Sequence, residues 1–336
     1  MATITPAVVL PVNAPYNVSP PYSGTFIPTI WSSKLNVKFY AATTFGDVSN
    51  TNWEGDIKSM GDKVIINNIP SININAYTIG MSLTYESPAP SIIELQIDKA
   101  FYFGVSISDV LEYQAQPNMM DVFTTDAANQ MKISIDAECF LAVVFGADAA
   151  NIGATAGKLS AAYNMGTDAA PVALDATATA ATGILNKITQ MSSILDEQNV
   201  PESDRFLIIT PFERNLLMSS NLAQAQFMGD ATSIVRNGKI GRIDRFDVYV
   251  SNLLPKANTN LVYNNPALGW PATANTSAKR HALFAGHKSA WTFASQINKV
   301  ESVVNQNDFG QLIRGLVVYG RKVVKPEGMV VLQAAG

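Results

Sequence analysis

Apolar positions along this chain follow two different periods, and the switching between them predicts a mixed α+β molecule. The helical period is clearest from Pro117 to Phe145, where Met120, Phe123, Ala127, Met131, Ile135, Leu141 and Phe145 fall close to one stripe. Asp121, Lys132 and Asp136 are the polar intervals in that run. At 1.5 Å per residue such a helix is about 40 Å long. A second amphipathic stretch carries Ile184, Leu185, Ile188, Met191, Ile194 and Leu195 and closes before Pro201. The period of two marks Ile72, Ile74 and Ala76, which follow Val64-Ile65-Ile66 and a polar break at Asn67 to Pro70. That order predicts strand, turn, strand, with one apolar face. A lone hairpin is marginal in water, so the face needs a partner from its own core or from another chain.

The stretch from Val200 to Pro255 is denser. Phe206 to Ile209 is wholly apolar, as in a strand buried on both faces. Thr210 and Glu213 have capping-box spacing, and Pro211 suits the first helical position. Phe212, Leu216 and Leu217 give the short helix an apolar side, and Asn221 is its stop. Asn237-Gly238 is a tight-turn pair, and Asp247 to Val250 reads as a strand. Further strands are expected near Leu283-Phe284, Val303-Val304, Leu316–Tyr319 and Val330–Leu332. Residues 147–181, rich in Ala, Gly and Thr, read as a loop or a small insertion (147–175), and residues 256–279 as another loop. Pro6, Pro11, Pro15, Pro20, Pro21 and Pro28 exclude helix from the first thirty residues and favour extended chain. Such an arm loses entropy on ordering unless it lies on something.

Composition changes this picture in one respect. Charged residues are 15% of the 336, against about 25% in ordinary soluble proteins. Their place is taken by Asn, Thr, Ser, Gln and Ala, which suits extensive contact with other subunits. The net charge of -4 argues against gripping nucleic acid through phosphates. The single cysteine, Cys139, excludes an intramolecular disulfide framework. The N-terminus lacks a basic region ahead of its apolar residues and is not expected to be a secretory signal, and no run is long enough to span a bilayer.

No catalytic constellation emerges. Gly153 to Ser160 looks like a phosphate loop but has three residues between its glycines, not four, and Leu159 stands where a hydroxyl is needed. His281 and His287 have no acidic or cysteine cluster beside them and are expected to be structural, with no metal and no cofactor. Cys139, beside Phe140 and Leu141, reads as a buried, inert thiol. The acidic pairs Glu54/Asp56, Asp196/Glu197 and Glu202/Asp204 are expected to be solvated at loop and helix ends. Arg236, Lys239, Arg242 and Arg245 form a basic ribbon around the Asn-Gly turn. Phosphate contact, a joint to a neighbouring subunit and a plain solvated face are its three readings; the acidic chain favours the joint.

The order of these parts resembles tailed-bacteriophage major capsid proteins. The likeness is carried by Arg236-Asn237-Gly238, Ile240-Gly241 and Phe246 to Asn252, by Leu95 to Lys99 with Phe103 to Gln114, and by Gly315 to Glu327. It extends from about Trp31 onward. The resemblance implies an α+β fold with an N-terminal arm (1–45), an extended hairpin loop (46–86), a peripheral domain with a long spine helix (87–146 and 286–310) and an axial domain (147–285 and 311–336). It implies self-assembly into pentamers and hexamers of an icosahedral head around double-stranded DNA, with no sequence-specific binding, no membrane and no enzymatic role. A scaffolding protein, a portal and a decoration protein would be its partners, and host cytoplasm the place of assembly. Contacts between subunits are expected at Trp53, Lys58, Lys63, Ile72 and Ile74 of the loop and at Arg236, Lys239, Arg242 and Arg245 of the ribbon. Some capsids of this fold join Lys to Asn covalently, and Lys58 and Lys63 lie in the loop where that occurs. An encapsulin shell, of the same fold, and a cytoplasmic α/β enzyme are the alternatives.

Overall fold

The computed structural model describes residues 43–52, 63–68, 70, 72–88, 91–108, 119–144, 146–167, 169–176, 181–220, 241–255, 280–305 and 309–335, and among these described residues the predicted periods resolve into three sheets and four α-helices. The arm at 1–42, Trp53, Lys58, Arg236, Lys239, Asn221, the Asn237-Gly238 turn and the loop at 256–279 lie outside the described residues.

The long helical stripe is α2 (Met119–Val144), 26 residues, preceded by the single turn α1 (Phe45–Val48). Its fully buried described residues run from Met131 toward the C-terminal end. Met131, Cys139 and Phe140 are buried, while Phe123, expected on the stripe, is exposed. The polar interval Asp136 and the nearby Glu138 are buried instead. Three strands cover this helix: β3 (Lys99–Ser108), β9 (Trp291–Val304) and β10 (Gly310–Val323), with β10 in the middle and antiparallel to both. Residues 311–323, grouped on sequence with 147–285, therefore share a sheet with 99–108 and 291–304.

The larger sheet has six strands: β4 (Val172–Ala173), β5 (Arg205–Ile209), β6 (Arg242–Ile243), β7 (Phe246–Val250), β8 (Arg280–His287) and β11 (Met329–Ala335), in the order β4-β11-β8-β5-β7-β6. Its centre, β5, is buried at every residue, as the unbroken apolar run requires. β5 and β7 are parallel, joined through α4 (Pro211–Ser219), and α3 (Ile184–Glu197) packs its apolar face on the sheet. Residues 146–176 are folded rather than a bare loop. Ala156, Met165, Val172 and Leu174 enter the core, and Gln333 donates its backbone N–H to the carbonyl of Met165.

The capping box of α4 is present, but the helix turns a different side inward. Glu213 is fully buried and Phe212 is 45% exposed. The Glu213 carboxylate accepts from the Thr210 N–H at 3.0 Å, from the Thr210 hydroxyl and from His281 on β8. With Glu213 held inward, the buried apolar residue one turn later is Leu217.

Two short crossings between these sheets lie side by side. β8 reaches β9 through a 3-10 turn, Lys288–Ala290, and β10 reaches β11 through Pro326–Gly328. The crossings are bonded to each other, because Val324 and Lys325 both donate N–H to the Ala290 carbonyl, at 2.8 and 2.9 Å. Trp291, just past the first, is buried against Phe45 and Phe206 with ring centroids 5.3 and 5.1 Å apart. Phe140 from α2 meets Phe45 edge-on and lies over Phe284 of β8. One aromatic cluster thus links α2, both sheets and the segment at 43–52.

Candidate intersubunit surface

The hairpin differs in register from the sequence expectation. Its legs are β1 (Lys63–Asn68) and β2 (Ser91–Gln96), antiparallel, with Asn67 and Asn68 still in the ladder opposite Ile92 and Ser91. The asparagines do not break the strand because a partner strand supplies their backbone bonds; Pro70, without an N–H, is where such a ladder stops. Residues 72–76 form no strand. The turn lies farther out, where Met81 donates its N–H to the Thr78 carbonyl at 3.2 Å and Gly80 takes φ +92°. Asn73 on one leg bonds the Glu86 carboxylate on the other, at 2.9 Å through its side chain.

Ile72, Ile74, Tyr77, Ile79, Met81, Leu83 and Tyr85 are all exposed, Ile74 at 96% and Ile79 at 97%. Scattered exposed apolar residues need no explanation, but seven of them within one loop of residues 72–85 mark an interaction surface. At the base of the loop, Leu95 and Ile66 are buried with Ala294 and Val324, which attaches β1 and β2 to the body. Lys63 pairs with Glu94 across the two strands at 3.3 Å, both about half exposed.

The two ribbon cations within the described residues behave differently. Arg242 is exposed at the edge strand β6. Arg245, in the β6–β7 turn, is engaged within its own chain, 2.9 Å from Asp196 and 3.1 Å from Glu202. Asp196 also holds the fully buried Arg205 at 2.7 Å. Arg205 in turn donates to the carbonyls of Val200 and Pro201, at 2.6 and 2.8 Å, where the chain leaves α3. Asp196 and Glu202 are thus paired rather than merely solvated.

The same holds for Glu197. Its Oε2 accepts from the backbone N–H groups of Leu159 and Ser160, at 2.8 and 3.2 Å. These are N–H groups of the glycine loop that superficially resembles a phosphate loop, so a carboxylate of this chain occupies them. Among the described residues, no group of three His, Cys, Asp or Glu residues is placed to hold a metal ion, and no helix is long and apolar enough to cross a membrane. His287 Nδ1 accepts from the Ser289 N–H at 3.1 Å, and burial holds its pKa below the ordinary value. Cys139 is buried; desolvation pushes its thiol pKa well up, and the neighbouring Glu138 adds to the effect. The buried Glu138 accepts from Tyr319 at 3.0 Å and from Arg321 Nε at 2.7 Å, pinning α2 to β10.

Residues 92–332 match a family described as phage capsid protein, a span of well over half the chain. No curated protein sequence matches. A solved structure from Mycobacterium phage Che8 is 25% identical, covers 91% of this chain and 97% of its own, and superposes with a TM-score of 0.69. The capsid structure of the cyanophage P-SCSP1u is 18% identical, over 96% of this chain and 100% of that one, with a TM-score of 0.67. The mature capsid of bacteriophage PhiM1 is 13% identical over 96% and 98%, with a TM-score of 0.63. The last two share the fold. With its α+β architecture, its projecting apolar loop and the family match over residues 92–332, the chain belongs to the phage capsid protein family, the major capsid proteins of tailed phages.

Proposed function

We propose that this capsid subunit closes into pentamers and hexamers, and that its extended loop is the main apolar contact between neighbours. The observation that carries this reading is the seven exposed apolar side chains between Ile72 and Tyr85, on a loop whose base is packed on the body through Ile66 and Leu95. Burying one Ile or Leu fully is worth about 1.5–3 kcal/mol, so a neighbour that covers even half of the run gains several kcal/mol. Head-to-tail contacts of this kind close into rings. The β1–β2 loop, the three-stranded sheet with α2 as peripheral domain, and the six-stranded sheet as axial domain supply the parts. The arm lies along neighbours in the same reading up to about residue 42, since Phe45 is buried in its own subunit, with Trp53, Lys58 and Lys63 in or near the loop contact.

The shell encloses double-stranded DNA without reading its sequence, in keeping with a net charge of -4. Arg236, Lys239 and Arg242 join subunits at the ring centre, while Arg245 serves that joint indirectly by fixing the β6–β7 turn. The subunit assembles in host cytoplasm with a scaffolding protein, meets a portal at one vertex, accepts a decoration protein, and has no enzymatic role. Electron microscopy of producing cells and sizing of purified protein test the reading. Shells with five- and six-fold clusters are expected; protein that stays monomeric across concentration and salt, with no shells in cells, would overturn it.

A further inference from the structure

We propose that the loop of one subunit adds a strand to the free edge of β3 in a second copy of the chain, residues 81–86 lying antiparallel to residues 100–105. This rests on the loop contact proposed above and names its acceptor. The loop has the pairing of a hairpin without its ladder. The β1–β2 register sets Lys63 opposite Gln96 and Asn68 opposite Ser91; carried outward, it sets Asn73 opposite Glu86 and centres the turn on Ile79 and Gly80. The Asn73–Glu86 bond and the Thr78–Met81 turn fall at those places. Yet among the described residues 72–88, the Met81–Thr78 bond is the only one between backbone groups. In that register Ile72, Ile74, Ala76, Met81, Leu83 and Tyr85 share one face, and the two asparagines, Ser82, Thr84 and Glu86 the other. The legs thus leave both an apolar face and their backbone groups open.

The edge of β3 is open in the same two ways. β3 pairs with β10 alone, and among the described residues no backbone group of Lys99–Ser108 bonds anywhere else. It is ten residues long, with no proline and one charge, Lys99, so it lacks the usual protections of an exposed edge. Its inward side chains also lack a neighbour. Ile313 on the central strand is buried, but Val105 directly opposite is only half-buried, as are Phe103 and Phe101. They share the face of Tyr319, which bonds Glu138 of α2. An added strand with apolar residues on that face would close their open side. The opposite edge, β9, is less suited, since it carries Lys299 and Glu301 and its start is already bridged by Asn50.

Burial of one face fixes the register of an added strand. Tyr85 comes beside Phe101, Leu83 beside Phe103 and Met81 beside Val105, while Thr84 lies beside the exposed Tyr102. The antiparallel direction brings Glu86 and Lys99, the one charge of each segment and of opposite sign, to the same end. A subunit cannot use its own leg. β2, six residues and about 20 Å long, is laddered to β1 and packed on the body through Leu95; it leads from the loop to β3 and so carries the loop away from it.

Oxidation of assembled shells that carry both Thr84→Cys and Tyr102→Cys tests this. Both positions are exposed, so the substitutions leave the core intact. In the proposed register their Cβ atoms stand about 5 Å apart, close enough for a disulfide to form with a small adjustment. Oxidised glutathione should link the subunits into a ladder of dimers and larger species on a non-reducing denaturing gel. Each single variant, and the double variant before assembly, should stay monomeric, because the native Cys139 is buried. Linkage of Thr84→Cys to Ser302→Cys on β9 instead would overturn the assignment. Parent shells give a check without substitution: alternate amides of β3 should gain at least about ten-fold protection from hydrogen exchange on assembly, and unchanged protection would overturn it equally. Shells that leave the Thr84–Tyr102 pair unlinked, yet still depend on Ile74 and Ile79, would refute the added strand and leave the loop contact standing. Shells indifferent to Ile74 and Ile79 would remove the contact and the strand together.

Discussion

Replacing Ile74 and Ile79 together by Ser separates the cohesion of the subunit from the cohesion of the shell. Both side chains are almost fully exposed, at 96% and 97%, so neither contributes packing within its own chain. Exposed substitutions of this kind change subunit stability by about 0.5 kcal/mol or less. If a neighbour covers them, each loses the transfer energy of an isoleucine, about 1.5–3 kcal/mol, or about 3–6 kcal/mol for the pair. At about 1.4 kcal/mol per decade, that weakens each loop contact by about 10²- to 10⁴-fold. Because every subunit offers one such loop, the loss recurs at every contact of a ring. Thermal unfolding of the unassembled variant should therefore match the parent, while the protein concentration at which shells form by light scattering and microscopy should rise by at least ten-fold, about one decade of contact strength. Normal assembly at the parent concentration would refute the reasoning, since it would mean the loop stays in water in the shell. A lowered melting temperature with normal assembly would refute it from the other side.

Three further outcomes follow from the body of the subunit. Arg205→Ala should destabilise by about 3 kcal/mol or more, because it strips a buried guanidinium from several carbonyl partners and Asp196, whereas Arg245→Ala, a partly exposed pair, should cost about 1 kcal/mol or less; denaturant unfolding compares them, and equal losses would refute the distinction. Acid should unfold the subunit in two stages. His287 is held below its ordinary 6.5 by burial, so its contribution is present above that pH and lost as pH falls through the folded value. Burial alone would raise Glu213, but the bonds from His281 and Thr210 outweigh it and hold it below 4.5, so its contribution is lost farther down. Melting temperature against pH should therefore decline below about 6.5 and again below about 4.5, and His287→Gln should flatten the first decline alone. Gly320→Ala should loosen the base of the loop, since an added Cβ would lie 2.4 Å from the Gln96 carbonyl oxygen at the end of β2; a loss of about 1–3 kcal/mol with reduced protection of β1 and β2 amides is expected in hydrogen exchange.

How far the sequence reached depended on whether the signal was local. The α2 and α3 stripes, the apolar run of β5 and the Thr210–Glu213 box are set within one turn or one strand, and each appears within a residue or two of its expected place. What escaped depended on partners far along the chain. Asp136 is only a polar interval of a stripe until Thr44 meets it, 92 residues away, and Glu138 gives no signal on its own until Arg321 meets it, 183 residues away. Phe212 was assigned inward because it is apolar, but His281, 68 residues on, rewards Glu213 for facing in and so turns the helix. The alternation at Ile72, Ile74 and Ala76 correctly signalled an apolar surface without a strand to hold it, because side-chain period says which residues want burial and nothing about which backbone supplies the ladder.

The scarcity of charge acquires a structural reason from these contacts. In the body, the carboxylates act as staples between distant segments: Asp136 to the turn at Thr44, Glu138 to Arg321 and Tyr319, Glu213 to His281, Glu197 to Leu159 and Ser160, Asp196 to Arg205 and Arg245. Where the staple is buried, as at Asp136, Glu138 and Glu213, removing one partner leaves an uncompensated charge and costs several kcal/mol, whereas the more exposed bonds of Glu197 and Arg245 are worth about 1 kcal/mol or less. The loop from Ile72 to Pro88 is the opposite case. It holds one charged residue, Glu86, and that residue is tied across the loop to Asn73. A surface with a single charge carries little desolvation cost when another subunit covers it, and its contacts depend little on salt. Charge is thus concentrated on fixing the subunit, and the projecting surface carries one carboxylate. Adding charge at the apolar run, as in Ile74→Lys, should therefore weaken assembly by more than Ile74→Ser, and make it depend on ionic strength more steeply than in the parent; equal effects of the two substitutions would contradict this division.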